Sequence, residues 1–342
     1  MSVSTPRFVR LLLIAALALA AAAGMPAGAS ALTCTPSSDF LMPPSNAPLP
    51  GSCFEGFDGT QTDPDGVQSY TPTPPATLNR LDWESLPSVI SGSSDYVVGS
   101  NDSQFGAGGS ELSPDSWTFN VGSLGSAKFD AVQAWSLKEP NTAKLFLALG
   151  FIRKSNNGET HLAFELNQKQ PGYRTAQESG TGGRAIKVPT RSDGDVLITY
   201  SMSNDNNPPA TVGLCKWKGD QHNGVWTNQA GVQVDECPTL NSSISQARLN
   251  DNTILAADNH LQGKTTSIDP GLFGEAVVNL TEAFKSTTGS IATPDSCVSF
   301  GYLWLHSRSA PSITSNQQDY ILPDSPISVA NCAVSGIKWE DV

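Results

Sequence analysis

The chain has 342 residues, of which 38% are hydrophobic, and its 20 basic and 32 acidic side chains give a formal net charge of −12 at pH 7. This acidic excess argues against nucleic acid and anionic membranes as partners, because both are negatively charged. It is compatible with neutral sugars, with divalent cations, or with solubility alone. The length is sufficient for one large all-β domain or for two smaller domains.

The first 31 residues have the organisation of a secretory signal peptide. Arg7 and Arg10 give a positively charged start, residues 11–23 form a short apolar stretch, and Ala-Ser-Ala at 29–31 matches a small-residue cleavage site. The apolar stretch is too short to span a membrane, and no second apolar run of about 18 residues follows. We therefore expect a soluble chain that is secreted after removal of residues 1–31.

All six cysteines follow the signal peptide. An even number of cysteines in an exported chain indicates disulfides, here three, although six cysteines allow fifteen pairings. The spacing favours Cys34–Cys53, Cys215–Cys237 and Cys297–Cys332. A cysteine-histidine metal site is disfavoured, because no CxxC pair occurs and the four histidines are scattered singly.

Residues 32–75 are predicted to form a disulfide-tied extension and linker. They are rich in proline, and the stretches DGTQTDPDG and TPTPP contain turn formers without apolar periodicity. Residues 91–116 are also predicted as loop, since glycines alternate there with serine, asparagine and aspartate. A single β domain is expected over 76–342.

From Trp117 onward, short segments with strand patterns alternate with turn clusters. LFLALGFI is apolar on both faces and predicts a central, buried strand, whereas HLAFELNQ and GDVLITYSM alternate as strands with one open face do. The best helical pattern, 280–285, is short. Such a series predicts an all-β, antiparallel β-sandwich of the jelly-roll or lectin-like type. The predicted strands are Ser116–Asn120, Ala131–Ser136, Lys144–Arg153, Thr160–Gln168, Asp195–Met202, Thr211–Trp217, Glu275–Leu280, Cys297–Arg308 and Ile327–Cys332.

Two of these strands carry polar and aromatic side chains on one face. His161 and Asn167 share a face of the first, and Tyr302, Trp304 and His306 share a face of the second. If both strands join one sheet, these side chains form a concave surface. Aromatic rings with directional hydrogen-bonding groups suit neutral sugars, so these five residues are the candidate ligand site.

The same surface permits a hydrolase interpretation. Two carboxylates about 5–9 Å apart can cleave a glycosidic bond, and Glu165 and Glu275 are the candidate pair. The competing interpretation is that both are solvated or paired with nearby arginines. No GxSxG, HExxH, P-loop or GxGxxG motif occurs. The leading hypothesis is thus a non-enzymatic binding or structural protein, with a polysaccharide-cleaving glycosidase or lyase as the alternative.

A structural calcium site is a further hypothesis. Hard cations require several oxygen ligands on a flexible backbone, and Asp58, Asn101, Asp102 and Asp115 lie in glycine-rich segments. Neither segment matches the EF-hand pattern. Aspartate and asparagine are also ordinary turn formers, so the same residues are explained without a cation.

Several stretches together resemble a family of exported bacterial β-sandwich domains, common in actinobacteria. They are FEGFDG with DWESL, SQFGAGGSELSPDSWTF, LFLALGFIRKSNNGETHLAFELNQ, GDVLITYSM with TVGLCKW, FGEAVVNLTEAF and the segment from CVSFGYLWLHSRS to SVANC, covering about 54–332. Domains of this family form the N-terminal head of surface proteins with prealbumin-like or isopeptide-forming pilin-related repeats. The resemblance implies a disulfide-bonded sandwich with an adhesive or structural extracellular role, and it carries no established catalytic residues over to this chain.

This chain departs from the larger members of that family. It ends at IKWEDV without pilin-like repeats, an LPxTG sorting signal or a C-terminal membrane anchor. A free exported protein is therefore expected, with an extracellular glycan or a cell-surface protein as its partner. Within the matching region, Arg308 is expected to form a structural ion pair with Asp319.

Overall fold

The structure is a computed structural model, and it describes only part of the chain. The predicted signal peptide lies outside the described residues, as do Asp58, Asn101 and the side chain of Asp102, so three of the four predicted calcium ligands are not tested. The described residues are 33–34, 49, 52, 61, 77–78, 82–83, 91–94, 102–106, 109–112, 114–139, 144–175, 185–202, 210–285, 299–321 and 329–330.

Strands are the dominant regular secondary structure of the described chain, which confirms the all-β prediction. One single-turn helix, α1 (Leu280–Ala283), lies where the best helical pattern was found, and the Asn279 side chain caps it by accepting from the Glu282 N–H at 3.1 Å. No helix among the described residues is long and apolar enough to cross a membrane. The strands are β1 (Thr33–Cys34), β2 (Thr77–Leu78), β3 (Ser91–Ser94), β4 (Asp102–Phe105), β5 (Phe119–Gly122), β6 (Ala131–Lys138), β7 (Phe146–Arg153), β8 (Thr160–Asn167), β9 (Gly172–Thr175), β10 (Ala185–Val188), β11 (Val196–Met202), β12 (Thr211–Lys218), β13 (Val225–Thr227), β14 (Ser245–Leu249), β15 (Phe273–Asn279), β16 (Ser299–Phe300), β17 (Tyr302–Arg308), β18 (Gln317–Ile321) and β19 (Val329–Ala330).

Two large antiparallel sheets organise these strands. The eight-stranded sheet has the order β13-β12-β11-β8-β17-β18-β4-β5, and the five-stranded sheet has the order β14-β15-β7-β6-β3. Strand β17, from the C-terminal part of the chain, pairs with β8 from its middle, and β8 pairs on its other edge with β11. The remaining described strands form three two-stranded sheets.

One apolar core draws side chains from both large sheets. Phe164 of β8 and Tyr200 of β11 belong to the same buried cluster as Phe151 of β7 and Val278 of β15. The rings of Phe151 and Tyr200 lie 5.0 Å apart, and the Tyr200 hydroxyl donates to the Arg248 carbonyl at 2.6 Å. We call the faces that share this core the inner faces of the two sheets, and the opposite faces the outer faces.

The outer face of the five-stranded sheet is covered by residues from the N-terminal part of the chain. Leu49 and Trp83 are buried there against β7 and β15. The Trp83 indole lies directly over Gly150, where an added Cβ would come within 3.0 Å of the ring. Glycine at this position therefore allows an aromatic ring to pack against the strand backbone, which explains the break in an otherwise bulky strand.

Strand β7 is buried along its whole length, as its doubly apolar pattern predicts. The prediction that HLAFELNQ has one open face is wrong, because every residue of β8 is buried as well. Its polar side chains lie on an outer face that other segments cover. The alternation of polar and apolar residues in β8 therefore separates the apolar core on the inner face from a covered polar layer on the outer face. It does not separate the core from solvent.

The Cys215–Cys237 disulfide is present, as predicted, with an S–S distance of 2.07 Å. It joins β12 to the segment after β13 and closes a loop with a sequence separation of 22 residues. Cys53, Cys297 and Cys332 lie outside the described residues, as does the side chain of Cys34. The other two disulfides therefore stay predictions.

Candidate functional site

Polar side chains meet on the outer face of the eight-stranded sheet, where β8 and β17 run side by side. The antiparallel register places Glu165 opposite Trp304 and His161 opposite Arg308. Because residues two apart share a face of a strand, His306 joins Trp304 and Arg308 on this face. The structure thus brings Glu165, Trp304 and His306 together, as the sequence pattern suggests.

Two further residues complete the site from outside these strands. Glu111 comes from the segment between β4 and β5, and Arg191 from the segment between β10 and β11. We call Glu111, Glu165, Arg191, His306 and Arg308 the charge cluster. All five have an exposed fraction of 0%, so solvent does not reach any of them.

Arg191 is the central member of the charge cluster. Its Nε and Nη2 atoms donate to the two carboxylate oxygens of Glu165, each at 2.8 Å, in the bidentate arrangement that matches a guanidinium to a carboxylate. The same Nη2 lies 3.3 Å from Oε2 of Glu111, and Nη1 donates to the Glu111 carbonyl. One guanidinium therefore ties a covering segment to the sheet.

Three indole rings surround the Arg191 guanidinium. Its Cζ atom lies 4.7 Å from the ring centroids of Trp217 and Trp226 and 5.3 Å from that of Trp117. The Trp226 Nε1 atom also donates to the Glu111 carbonyl at 2.8 Å. A cation held among aromatic faces without water is stabilised by their quadrupoles, so this aromatic cage stabilises the buried guanidinium of Arg191.

His306 and Arg308 approach the two carboxylates from β17. The His306 Nδ1 atom lies 3.2 Å from Oε1 of Glu111, and its Nε2 atom lies 3.7 Å from Oε2 of Glu165. The Arg308 Nε atom is 3.9 Å from Oε1 of Glu111, and Nη1 donates to the Pro311 carbonyl at 3.1 Å. Both carboxylates thus face positive or hydrogen-bonding groups from two directions.

The electrostatics of the cluster keep Glu111 ionised. Burial alone raises the pKa of a carboxyl group, but His306, Arg308 and Arg191 together lower the pKa of Glu111 to about 2. For Arg308 the balance is reversed, since burial lowers its pKa while Glu111 opposes that change. A carboxyl group held in this way is a poor proton donor at neutral pH.

Asn167 links Glu165 to a second buried carboxylate, Asp195. Its amide donates to Glu165 at 2.8 Å and to Asp195 at 3.1 Å. Asp195 also accepts the Ser192 N–H at 2.9 Å and the Gln168 N–H at 3.0 Å, and burial raises its pKa. These bonds fix the turn that leads from Arg191 into β11, so the position of Arg191 is set by its own loop.

A metal ion is one chemical use of this geometry. In the part of the chain that the structure describes, Glu111, Glu165 and His306 each place one ligand atom within 4.8 Å of the others. Carboxylate and imidazole ligands suit several transition metals. However, Arg191 and Arg308 already neutralise the two carboxylates, and a divalent ion would add buried charge that no described residue balances. The donor set fits a self-neutralised network better than a metal centre.

The predicted pair of catalytic carboxylates is not brought together. Glu165 lies on the outer face of the eight-stranded sheet, whereas Glu275 lies on β15 in the five-stranded sheet, where its carboxylate accepts from Trp83 Nε1 at 2.8 Å. Both glutamates are buried. The carboxylate that does lie beside Glu165 is Glu111, and the full burial of that pair leaves no space for a sugar between them.

Other predicted site residues have separate surroundings. His161 is buried beside Ser201, with 3.1 Å between Nδ1 and Oγ, and burial lowers its pKa to about 4. Tyr302 is half-buried at the start of β17. The carboxylate of Asp115, the one described member of the calcium set, contacts the His222 imidazole and accepts from the Gln221 amide at 3.3 Å.

Arg308 does not pair with Asp319, contrary to expectation. The carboxylate of Asp319 accepts main-chain N–H groups from Ala131 and Tyr320 instead, each at 2.7 Å. The register between β17 and β18 shifts between His306 and Arg308, which places Gln317 opposite Arg308. The Arg308 Nε atom instead lies 3.9 Å from Oε1 of Glu111, which comes from a segment predicted as loop.

Sequence reasoning did not place Glu111 or Arg191 in this site, although these two residues close it. Both lie outside strands, in SELSPDS and PTRSDGD, where no periodicity assigns a side chain to a face. The sequence contains one signal for Arg191, which is its position directly before a turn and a buried strand. A charged side chain so close to a buried strand is expected to form an ion pair.

Comparisons with known proteins add no further constraint. No protein-family model, no curated protein and no solved structure matches this chain. The functional argument consequently depends on the geometry of the site itself.

Proposed function

We propose that this protein is an exported, non-enzymatic binding or structural module that acts through its outer surface and not through the polar face of its eight-stranded sheet. One observation carries the proposal. Trp304 and His306 of the predicted ligand site, and Glu165 of the predicted catalytic pair, all have an exposed fraction of 0%. Side chains enclosed in this way contribute to rigidity and specificity of the fold, not to contact with a glycan chain.

We further propose a β-sandwich as the architecture, of the jelly-roll or lectin-like type. The apolar core shared by Phe151, Phe164 and Tyr200 supports two sheets packed face to face. Covering segments on both outer faces support a four-layer arrangement. In such an arrangement the concave face of a lectin-like sheet is filled by the protein's own residues.

The enzyme alternative lacks an open pair of acidic groups. Retaining and inverting glycosidases hold their two carboxyl groups about 5–9 Å apart with a sugar between them. Glu165 and Glu111 are closer, within 4.8 Å at their nearest ligand atoms, and Arg191 bridges them. The short distance between the two carboxylates and the arginine that bridges them both favour a structural role for Glu111 and Glu165.

Any glycan-binding role then depends on aromatic side chains outside the buried face. Tyr173 on β9 has 62% of its surface exposed, the largest fraction among the exposed large hydrophobic residues of the described chain. Tyr302 is half-buried and offers part of one ring. If the protein binds glycans, we therefore assign the binding surface to the region around Tyr173.

The experiment combines a turnover assay with a binding assay. The purified mature protein is incubated with a broad panel of polysaccharides, and new reducing ends or unsaturated products are measured; we expect none. A glycan array and calorimetry then test binding, with Tyr173→Ala as the surface variant. Turnover that disappears in a folded Glu165→Gln variant would overturn the non-enzymatic proposal. Binding that survives Tyr173→Ala would overturn the assignment of the adhesive surface.

A further inference from the structure

The β9–β10 hairpin presents a separate surface on the outside of the eight-stranded sheet. Among the described strands, β9 and β10 pair only with each other. Ile186 and Val188 of β10 are at most 4% exposed and belong to one buried cluster with Trp304 and Tyr320. Because alternate residues of a strand face opposite sides, Lys187 lies on the side of the hairpin that faces away from this cluster.

Tyr173 and Lys187 form a cross-strand pair on this outward side. The antiparallel register places the two residues directly opposite each other, so their Cβ atoms are about 4.5–5.5 Å apart and their side chains are neighbours. Tyr173 has 62% of its surface exposed, and Lys187 is half-buried. An exposed aromatic ring and a lysine side chain therefore lie next to each other on one face of the hairpin.

The base of the hairpin is fixed on both sides by one carboxylate. Asp195 accepts the N–H of Gln168, which precedes β9, at 3.0 Å and the N–H of Ser192, which follows β10, at 2.9 Å. The side-chain amide of Gln168 donates to the same carboxylate at 2.9 Å. Since both ends are held and the inner side is packed, Tyr173 and Lys187 are positioned before a ligand binds. Such a surface loses little conformational entropy on binding.

The hairpin is basic, although the chain as a whole has a formal net charge of −12. No aspartate or glutamate occurs in residues 168–175 or 185–191, and residues 176–184 carry one arginine and one glutamate, whose charges cancel. The basic residues of the first two ranges are Lys169, Arg174, Lys187 and Arg191. Arg191 belongs to the buried charge cluster, so the other three give the hairpin a formal excess of positive charge. Exposed charges more than about 10 Å apart are largely screened at 0.1 M salt, so a ligand at the hairpin responds mainly to the local charge.

An aromatic ring beside a lysine suits a sugar that carries an acidic group. The tyrosine ring offers a flat apolar face against which the C–H face of a pyranose ring packs. The lysine ammonium group forms charge-assisted hydrogen bonds with a carboxylate. A neutral sugar gains only the contact with the ring, whereas a uronate sugar gains both contacts.

We propose that the outward face of the β9–β10 hairpin binds an acidic polysaccharide, with a sugar ring on Tyr173 and the carboxylate of that sugar at Lys187. The inference rests on the proposed glycan-binding role of the region around Tyr173, and it names the class of glycan. Lys169 and Arg174 add local positive charge, which favours a polymer with several carboxylates in series. Double-stranded DNA carries one charge per about 1.7 Å, so the acidic excess of the whole chain opposes it more strongly than a polymer with one carboxylate per sugar.

Calorimetry with two matched polymers tests the inference on the mature protein. They are polygalacturonate and the same polymer after chemical reduction of its carboxyl groups, so the backbone is shared and only one polymer is charged. We expect the wild type to bind polygalacturonate about tenfold more tightly than the reduced polymer. Tyr173→Ala should weaken the binding of both polymers by about tenfold, because both use the ring.

Two lysine variants separate local recognition from general charge. Lys187→Gln should weaken the binding of polygalacturonate by about three- to fivefold, the contribution of an exposed ion pair, and leave the binding of the reduced polymer unchanged. The matched control is Lys138→Gln, since Lys138 is exposed at the end of β6 in the other large sheet. This variant should bind both polymers as the wild type does.

Four results would overturn the inference. Equal binding of the two polymers, or no binding of either, would refute an acidic glycan, and the proposed function would then stand or fall on the wider glycan array. An unchanged preference in Lys187→Gln would refute the role of this lysine. Equally tight binding of polyglutamate or of double-stranded DNA would show attraction to any polyanion and refute recognition of a polysaccharide. Release of new reducing ends from polygalacturonate would instead contradict the non-enzymatic proposal. If Lys187→Gln fails to fold, the comparison of the two polymers with the wild type decides the question by itself.

Discussion

Replacing Arg191 with methionine removes the central cation of the charge cluster while keeping most of the side-chain volume. The change deletes two hydrogen bonds of 2.8 Å to Glu165, and among the described residues it leaves His306, Arg308 and Asn167 as the polar partners of two buried carboxylates. Removing one partner of a buried ion pair costs about 3–5 kcal/mol. We expect the free energy of unfolding to fall by about this amount, since lost contact with three indole rings acts in the same direction.

Urea unfolding followed by tryptophan fluorescence measures this change, provided that the m-value stays at the wild-type value. Arg248→Met is the matched control, because the Arg248 side chain is partly exposed and its partner Asp251 lies on the surface. Exposed pairs of this kind contribute about 0–1 kcal/mol. The variant Arg191→Met combined with Glu165→Gln should be destabilised by less than the sum of the single changes, since the second change removes the carboxylate that the first leaves unpaired.

The acid limb of the stability curve provides a second observable for the same variant. The folded-state pKa of Glu111 is about 2, below its ordinary value of 4.5, so its contribution is fully present above pH 4.5 and is lost as the pH falls towards 2. Arg191 is one of the groups that lower this pKa, so Arg191→Met should lose less stability than the wild type as the pH falls below 4.5, because the difference between the folded and unfolded pKa of Glu111 is smaller. A variant within about 1 kcal/mol of the wild type, or strict additivity in the double variant, would refute the reasoning.

Three further changes test other parts of the structure. Burial lowers the folded pKa of His161 from 6.5 to about 4, so the free energy of unfolding of the wild type should rise by about 1–3 kcal/mol as the pH increases from 4 to 6.5. Urea unfolding at several pH values should show a smaller rise in His161→Gln. The rise should be the same as in the wild type for His222→Gln, whose imidazole is exposed. Replacing both Cys215 and Cys237 with alanine should lower the free energy of unfolding by about 3 kcal/mol, because the disulfide closes a loop with a sequence separation of 22 residues; an equal urea midpoint with and without the disulfide would contradict this. Trp83→Ala should cost about 3–5 kcal/mol through the cavity that it leaves on the outer face of the five-stranded sheet, and a loss below about 1 kcal/mol in calorimetry would show that this ring does not hold the N-terminal part of the chain in place.

The strand pattern of the sequence predicts most of the fold. Each of the nine predicted strands overlaps a strand of the structure, and β7 is buried as its apolar run requires. Short or irregular strands were missed, such as β4 and the β9–β10 hairpin, because AIKV and DSQF are too short for a period to be recognised. The disulfide between Cys215 and Cys237 was found because its two cysteines are neighbours among the six.

The strand residues of the candidate site could be predicted from the sequence, whereas its loop residues could not. Period-two alternation correctly grouped Trp304, His306 and Glu165 on outer strand faces, but it treats every polar face as facing solvent. Whether such a face is open depends on side chains that reach it from irregular segments. Glu111 and Arg191 come from such segments, and charge pairing over long sequence distances leaves no periodic trace.

The position of β17 has a consequence for the order in which the chain folds. It inserts between β8 and β18, so β8 keeps an unpaired edge until residues 302–308 are available. Contacts over such long sequence separations form slowly, and an open, apolar edge invites aggregation meanwhile. The eight-stranded sheet therefore closes only after nearly the whole chain has emerged. A chain truncated before residue 299 should aggregate during refolding, and a soluble, cooperatively folded product would contradict this order of events.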